Sequence, residues 1–205
     1  MPRFGRNLVC ALFLATALSG CPFRSIRDQP APALYLLSYD GELETSTLPK
    51  NKKRLMVTET TSSRLINSQK ILIKNPDRTI SYYKLASWAE PPPTRFTTLL
   101  LSQLDKSEAF EDVIRSSGAA QADYVINCEM LELFHETAAP PGKVNAEVRC
   151  DLINLASRQL VGSHYFRESR PLDSFDAAAA AEASNSAVSG IVSRVIKWSA
   201  ATVQR

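Results

Sequence analysis

Glycine is scarce in this chain, with seven in 205 residues. That is too few for the loops whose bare backbone cradles phosphate, and neither GxxxxGK nor GxGxxG occurs. Histidine is scarcer still, limited to His135 and His164. No HExxH and no Cys/His ligand spacing is present, so no metal and no other cofactor is expected. Serine never sits in GxSxG, and no nucleophile–base pair is recognisable, so the expected set of catalytic residues is empty and the chain does not read as an enzyme. His135 reads as an edge or satisfied histidine, and Gly162-Ser163-His164 as an ordinary strand segment. A dominant charge is missing as well. The formal net charge is +3, with Lys and Arg scattered, which is too little for a nucleic-acid footprint. The one basic cluster, Lys50-Asn51-Lys52-Lys53-Arg54, follows Pro49 and reads as a solvated loop ahead of a strand.

The N-terminus carries the strongest positive signal. Arg3 and Arg6 precede an uncharged apolar run over residues 8–18. About 20 apolar residues are needed to span a bilayer, so this run is too short and reads as an export signal over residues 1–20. It ends in Leu18-Ser19-Gly20-Cys21, which resembles the bacterial lipobox, with Cys21 as the lipidated first residue of the mature chain. Each buried methylene contributes roughly 0.8 kcal/mol, and two or more acyl chains anchor a protein stably. Pro22 stands where an aspartate marks inner-membrane retention. The resemblance therefore implies an outer-membrane lipoprotein facing the periplasm, held by acyl chains among the lipids. Removing residues 1–20 lowers the side-chain charge from +3 to +1. Residues 21–32 are proline-rich and aperiodic, a tether to a single domain over residues 33–205.

Along that domain, strands are expected at residues 33–37, 54–58, 70–74, 79–83 and 110–115, with a helical turn at 62–67. Asn75-Pro76-Asp77-Arg78 is a hairpin turn, since proline presets the turn dihedral and Asn and Asp bond locally. Residues 123–135 and 144–155 are the clearest strand pair. Tyr124, Ile126, Cys128, Met130 and Phe134 alternate onto one face, as do Val144, Ala146, Val148, Cys150 and Leu152. Cys128 opposite Cys150 places Glu129 opposite Arg149, an opposite-charge pair. In an oxidising periplasm the two cysteines are either a disulfide or a pair of buried thiols. A third antiparallel strand follows at 159–168, then a helix over 175–203. Its apolar stripe is interrupted by Glu182, Asn185, Arg194 and Lys197, which suits packing on a sheet and not a membrane span. The fold class expected is α/β, a mixed and largely antiparallel sheet with helices packed on it.

The pivot of the chain is residues 82–104, YYKLASWAEPPPTRFTTLLLSQL. Phe96, Leu99, Leu100 and Leu104 form one helical stripe, and the prolines belong at the start of that helix, where a missing N–H costs nothing. Trp88 clamps the strand exit against the helix or else offers a surface. Glu90 has no acid–base partner and reads as a complement to the helix dipole or as a cap.

Taken together, the lipobox at Cys21, Tyr83 followed by Trp88-Ala89-Glu90-Pro91-Pro92, the opening Ala122-Asp123-Tyr124-Val125 and the alanine-rich helix ending in Trp198 resemble the ABC-type transport auxiliary lipoprotein family. The resemblance implies an α/β sandwich and a non-catalytic role. It also implies partnership with an MCE-domain protein and an ABC transporter complex that move lipid between the inner and outer membranes. Homo-oligomers around such a conduit fit the same picture. Trp88, Glu90, Pro91 and Pro92 are the candidate partner contacts. The alternative is a pilot or assembly lipoprotein of another envelope export complex.

Overall fold

The structure is a computed structural model that describes residues 31–42, 47–117 and 121–204. The signal segment, Cys21 and nearly all of the tether lie outside the described residues. In chain order the elements are β1 (Ala33–Tyr35), β2 (Arg54–Val57), β3 (Thr61–Ser62), β4 (Lys70–Lys74), β5 (Ile80–Trp88), α1 (Pro92–Ser107), β6 (Asp112–Arg115), β7 (Tyr124–Glu136), β8 (Lys143–Asn154), β9 (Gln159–Pro171) and α2 (Ala177–Val203).

The nine strands form one mixed, mostly antiparallel sheet with β7 at its centre. On one edge β7 takes three short parallel partners in succession. Leu55 of β2 lies beside Tyr124, Thr61 of β3 beside Glu129, and Ile73 of β4 beside His135. On the other edge β8 runs antiparallel along the whole strand, and β9 runs antiparallel to β8. The sheet then extends from β4 through β5 to β1, and from β2 to β6. Both helices occupy one face. α2 packs on β8, β9 and β4 and against α1, and their buried residues share a single core cluster. The expected α/β class holds.

Local chemistry explains the element ends. Pro92 and Pro93 fill the first helical positions of α1, where their missing N–H groups would have no partner anyway. Asp176 caps α2 by accepting from the Ala179 N–H at 2.9 Å. In the β4–β5 turn, Asn75 and Thr79 close the hairpin and Asp77 accepts from the Thr79 N–H, so the Asn-Pro-Asp reading stands. The capping alternative for Glu90 is corrected: no side chain caps α1, and Glu90, just ahead of the helix, pairs with Arg95 at 3.6 Å.

The β7–β8 register is the expected one, with Cys128 beside Cys150 and Glu129 beside Arg149. The two cysteines are joined as a disulfide between directly opposed positions. The charge pair does not form. The Arg149 guanidinium turns along its own strand to Asp151 at 3.1 Å, and Glu129 is left exposed. The alternation on β7 also changes phase. Ile126, Cys128 and Met130 are buried as anticipated, but a bulge between Met130 and Glu132 inserts one residue. Beyond it Leu133 and His135 face the helices and Phe134 faces away, the reverse of the assignment made from simple alternation.

The bulge puts His135 in the core at 2% exposure. Its Nε2 lies 2.9 Å from the carbonyl oxygen of Pro141. A carbonyl only accepts, so Nε2 carries the hydrogen and Nδ1 is left to accept from the Tyr83 hydroxyl at 2.8 Å. The Tyr83 and Phe175 rings flank the imidazole, with centroids 6.0 and 5.0 Å away. Gly142 completes the enclosure at φ +98°, because a Cβ there would meet His135 Nε2 at 2.4 Å and the Glu136 carbonyl at 2.6 Å. Burial pushes the His135 pKa below its ordinary 6.5. The Tyr83 phenol is pushed up to about 12 by burial, with the Asp176 carboxylate adding to the effect. The histidine is therefore a satisfied, neutral core group.

Two outcomes follow from this packing. The unfolded chain takes up a proton on His135 at higher pH than the folded one, so unfolding free energy falls as pH drops below 6.5 and is restored above it. Chemical denaturation of wild type and His135→Gln across that window checks this: the variant loses the histidine contribution to the slope, and equal slopes refute the assignment. Peptide mapping without reductant recovers Cys128 linked to Cys150. On chain-entropy grounds, reduction of a bridge with 22 residues of separation lowers stability by about 3 kcal/mol. Two free thiols in the exported protein refute the bridge.

Candidate docking site at the strand-to-helix turn

The chain leaves β5 at Trp88, crosses Ala89, Glu90 and Pro91, and enters α1 at Pro92. Trp88 pairs in register with Tyr35 of β1, and its side chain is 2% exposed. The turn is held mostly through backbone. The Trp88 N–H donates to the Gln69 carbonyl and the Ala89 N–H to the Tyr35 carbonyl, both at 2.7 Å. Gln69 Nε2 donates to the Ala89 carbonyl at 2.7 Å. One turn into the helix, the Arg95 Nε donates to the Leu37 carbonyl at 2.8 Å while its guanidinium faces Glu90. Arg95 thus ties the segment after β1, the turn and α1 together. On the inner side of α1, Thr97 Oγ1 is fully buried, accepts from the Thr60 N–H at 2.8 Å and lies 2.9 Å from the Thr60 hydroxyl.

Among the residues anticipated from sequence, the structure brings Trp88, Glu90, Pro91 and Pro92 together but divides their roles. Trp88 and Pro92 belong to the core, so the clamp is the part of the Trp88 reading that the packing supports. Ala89 is exposed, and Glu90 and Pro91 are partly exposed. Those three make up the accessible rim of a rigid turn. Cys128 and Cys150 lie in the core, away from this rim in sequence and in sheet position. Cys21 falls outside the described residues.

Other chemistry on the domain is already engaged. His164 packs against Phe166 and Trp198, with centroids 4.7 and 6.2 Å away. Every buried side-chain nitrogen and oxygen among the described residues has a hydrogen-bond partner. A surface depression of about 290 Å³ is lined by Glu132, Asn145, Ala146, Glu147, Arg167, Glu168 and Ser169. Its charges are paired: Arg167 with Glu147 at 2.8 Å, Glu132 with Lys74 at 3.7 Å, and Glu168 with Arg170 and Arg194 at 2.6 and 3.0 Å. Such a lining favours water over an acyl chain. The core histidine cluster was missed at the level of sequence, because nothing in residues 124–136 marks where the bulge falls.

Solved structures share this architecture. Protein XCC0632 from Xanthomonas campestris superimposes with a TM-score of 0.78 at 21% identity, covering 84% of this chain and 97% of that one. An uncharacterized protein superimposes with a TM-score of 0.58 at 12% identity, covering 85% of this chain and 97% of its own. At these identities the likeness concerns the fold. No curated protein matches the sequence with significance. The family of ABC-type transport auxiliary lipoprotein components matches residues 35–195, from β1 into the last turns of α2 and across the whole Trp88–Pro92 turn, and the chain belongs to that family.

Proposed function

We propose that this chain is the lipid-anchored accessory component of an MCE/ABC-type lipid transport system linking the inner and outer membranes. Acylated Cys21 holds it on the periplasmic face of the outer membrane, and the domain docks onto the periplasmic part of the machinery without catalysing a reaction. Family membership carries the reading, because auxiliary components act beside a transporter. Two features of the domain support docking over chemistry or lipid carriage. The ring nitrogens of His135 are both committed to core partners, which removes a base. The surface depression on β7–β9 is lined by charged and polar residues, with Ala146 its one apolar member. The rim formed by Ala89, Glu90 and Pro91 is the proposed contact, since its backbone is held by Tyr35 and Gln69 at Ala89 and by the Arg95 N–H at Pro91 and loses little freedom on binding.

Isolation of the native protein with its membrane partners should recover an MCE-domain protein and ABC transporter subunits. Ala89→Arg should reduce that recovery roughly ten-fold, as a bulky charge at an interface rim does, with little change in melting temperature. Trp88→Ala should instead cost about 3–5 kcal/mol of stability, because it empties a core position. Recovery of no MCE component would remove the transport reading, and recovery of a secretin-type channel would replace it with the pilot role. Cys21→Ala should abolish incorporation of labelled fatty acid; a variant that still takes up label would sink the anchor.

A further inference from the structure

The sheet face turned away from the helices is not uniform. Across β7, β8 and β9 it carries both signs of charge, with Arg167 paired to Glu147 and Arg149 to Asp151, and Glu129 exposed beside them. Across β1, β4 and β5 it is apolar and basic. Leu34 is 69% exposed, Leu85 53% and Tyr82 48%. Register puts them on the same side: Leu34 lies beside Ser87, two residues from Leu85, and Tyr82 lies beside Leu72, while Tyr83, Ala86 and Trp88 turn to the helices. An irregularity where β5 passes Lys70 and Leu72 produces the change of phase and leaves Lys84 exposed between the two runs. The Lys70 Nζ sits 4.2 Å from the centre of the Tyr82 ring. Neither Lys70 nor Lys84 has a carboxylate partner among the described residues, whereas Lys74 beside them is paired with Glu132.

Exposed leucines and a tyrosine flanked by uncompensated lysines suit the interface of an anionic bilayer. Apolar side chains enter the headgroup boundary, tyrosine sits at its level, and lysines meet the phosphates. Chain length names the occupant. Leu34 follows Cys21 by thirteen residues, a reach of about 45 Å when fully extended. A bilayer that holds the acyl chains is therefore always within reach of this face, and the tether turns a weak contact into an effectively intramolecular one. We propose that the face carrying Leu34, Tyr82, Leu85, Lys70 and Lys84 lies on the anionic lipid surface to which the chain is anchored. The proposal rests on the acyl anchor at Cys21.

Tyr82 and Tyr165 provide a matched pair for the test, on opposite halves of the same sheet face at 48% and 45% exposure. Full-length acylated Tyr82→Trp and Tyr165→Trp proteins are reconstituted into vesicles of brominated phosphatidylcholine and phosphatidylglycerol. Emission is read against wild type, which supplies the signal of Trp88 and Trp198. The added tryptophan at 82 should be quenched and that at 165 should not. Lys70→Gln and Lys84→Gln in the Tyr82→Trp background should each weaken the contact about five-fold, and should have no effect in vesicles without phosphatidylglycerol. Equal quenching at both positions, or none at 82, overturns the proposal. Flotation of the same samples separates the causes: protein that floats without quenching at 82 keeps the anchor and loses the contact, whereas protein that fails to float loses both.

Discussion

Twelve pairings along β7 and β8, interrupted by a single bulge, set the geometry on which the rest of the domain depends. The three parallel strands on the opposite edge of β7 contribute two or three register positions each, too few to define their own alignment. They are placed by β7, and β7 is placed by β8. A slip of one residue would turn Ile126, Cys128 and Met130 outward and break the meeting of Cys128 with Cys150. The disulfide and the burial of one face therefore specify the same alignment. Antiparallel pairing of strands joined by a short loop is also local in sequence, so it can form before the parallel strands arrive.

The bulge after Met130 then divides β7 into two segments with different tasks. The first aims Ile126, Cys128 and Met130 at the helices where β2 and β3 join. The second aims Leu133 and His135 at them where β4 joins. His135 meets Tyr83 from β5 and Phe175 from the entry to α2, so one satisfied imidazole connects the β4–β5 hairpin to the long helix. Trp88 and Arg95 extend the same connection to β1 and α1. The turn at Ala89 is rigid because each strand behind it is bound to the next, back to β7.

Much of this was legible in the sequence where signals are local. The two helices, the Asn-Pro-Asp hairpin, the proline-led start of α1 and the β7–β8 register each follow from a few adjacent residues with one strong physical preference. Where the fold depends on contacts distant in sequence, the reading fell short. Thr61 and Ser62 form a strand only because Glu129 and Met130 offer them an edge. Phe134 was assigned to the wrong face because a bulge is a property of the pair and not of one strand. Glu129 and Arg149 are opposite in register but not bonded, since Asp151 gives the guanidinium a closer carboxylate on its own strand. Glu90 pairs with Arg95 in place of capping the helix for a similar reason, with a full positive charge available one turn away. At the candidate site the sequence marked the right segment but could not distinguish its core side, Trp88 and Pro92, from its rim.

The apolar and basic face and the rim at Ala89 share β5 without sharing side chains. One uses Tyr82, Lys84 and Leu85 on the sheet face; the other uses the residues beyond Trp88, where the strand ends. An accessory protein that is held by lipid and serves a transporter needs two such surfaces, because contact with the membrane must leave contact with the partner free. A single patch serving both would make them compete. The change of phase along β5 keeps the proposed membrane face and the proposed docking rim apart within one strand. It turns Tyr83, Ala86 and Trp88 inward to anchor the strand, leaves the residues between them to the sheet face, and delivers the rim at the strand's end.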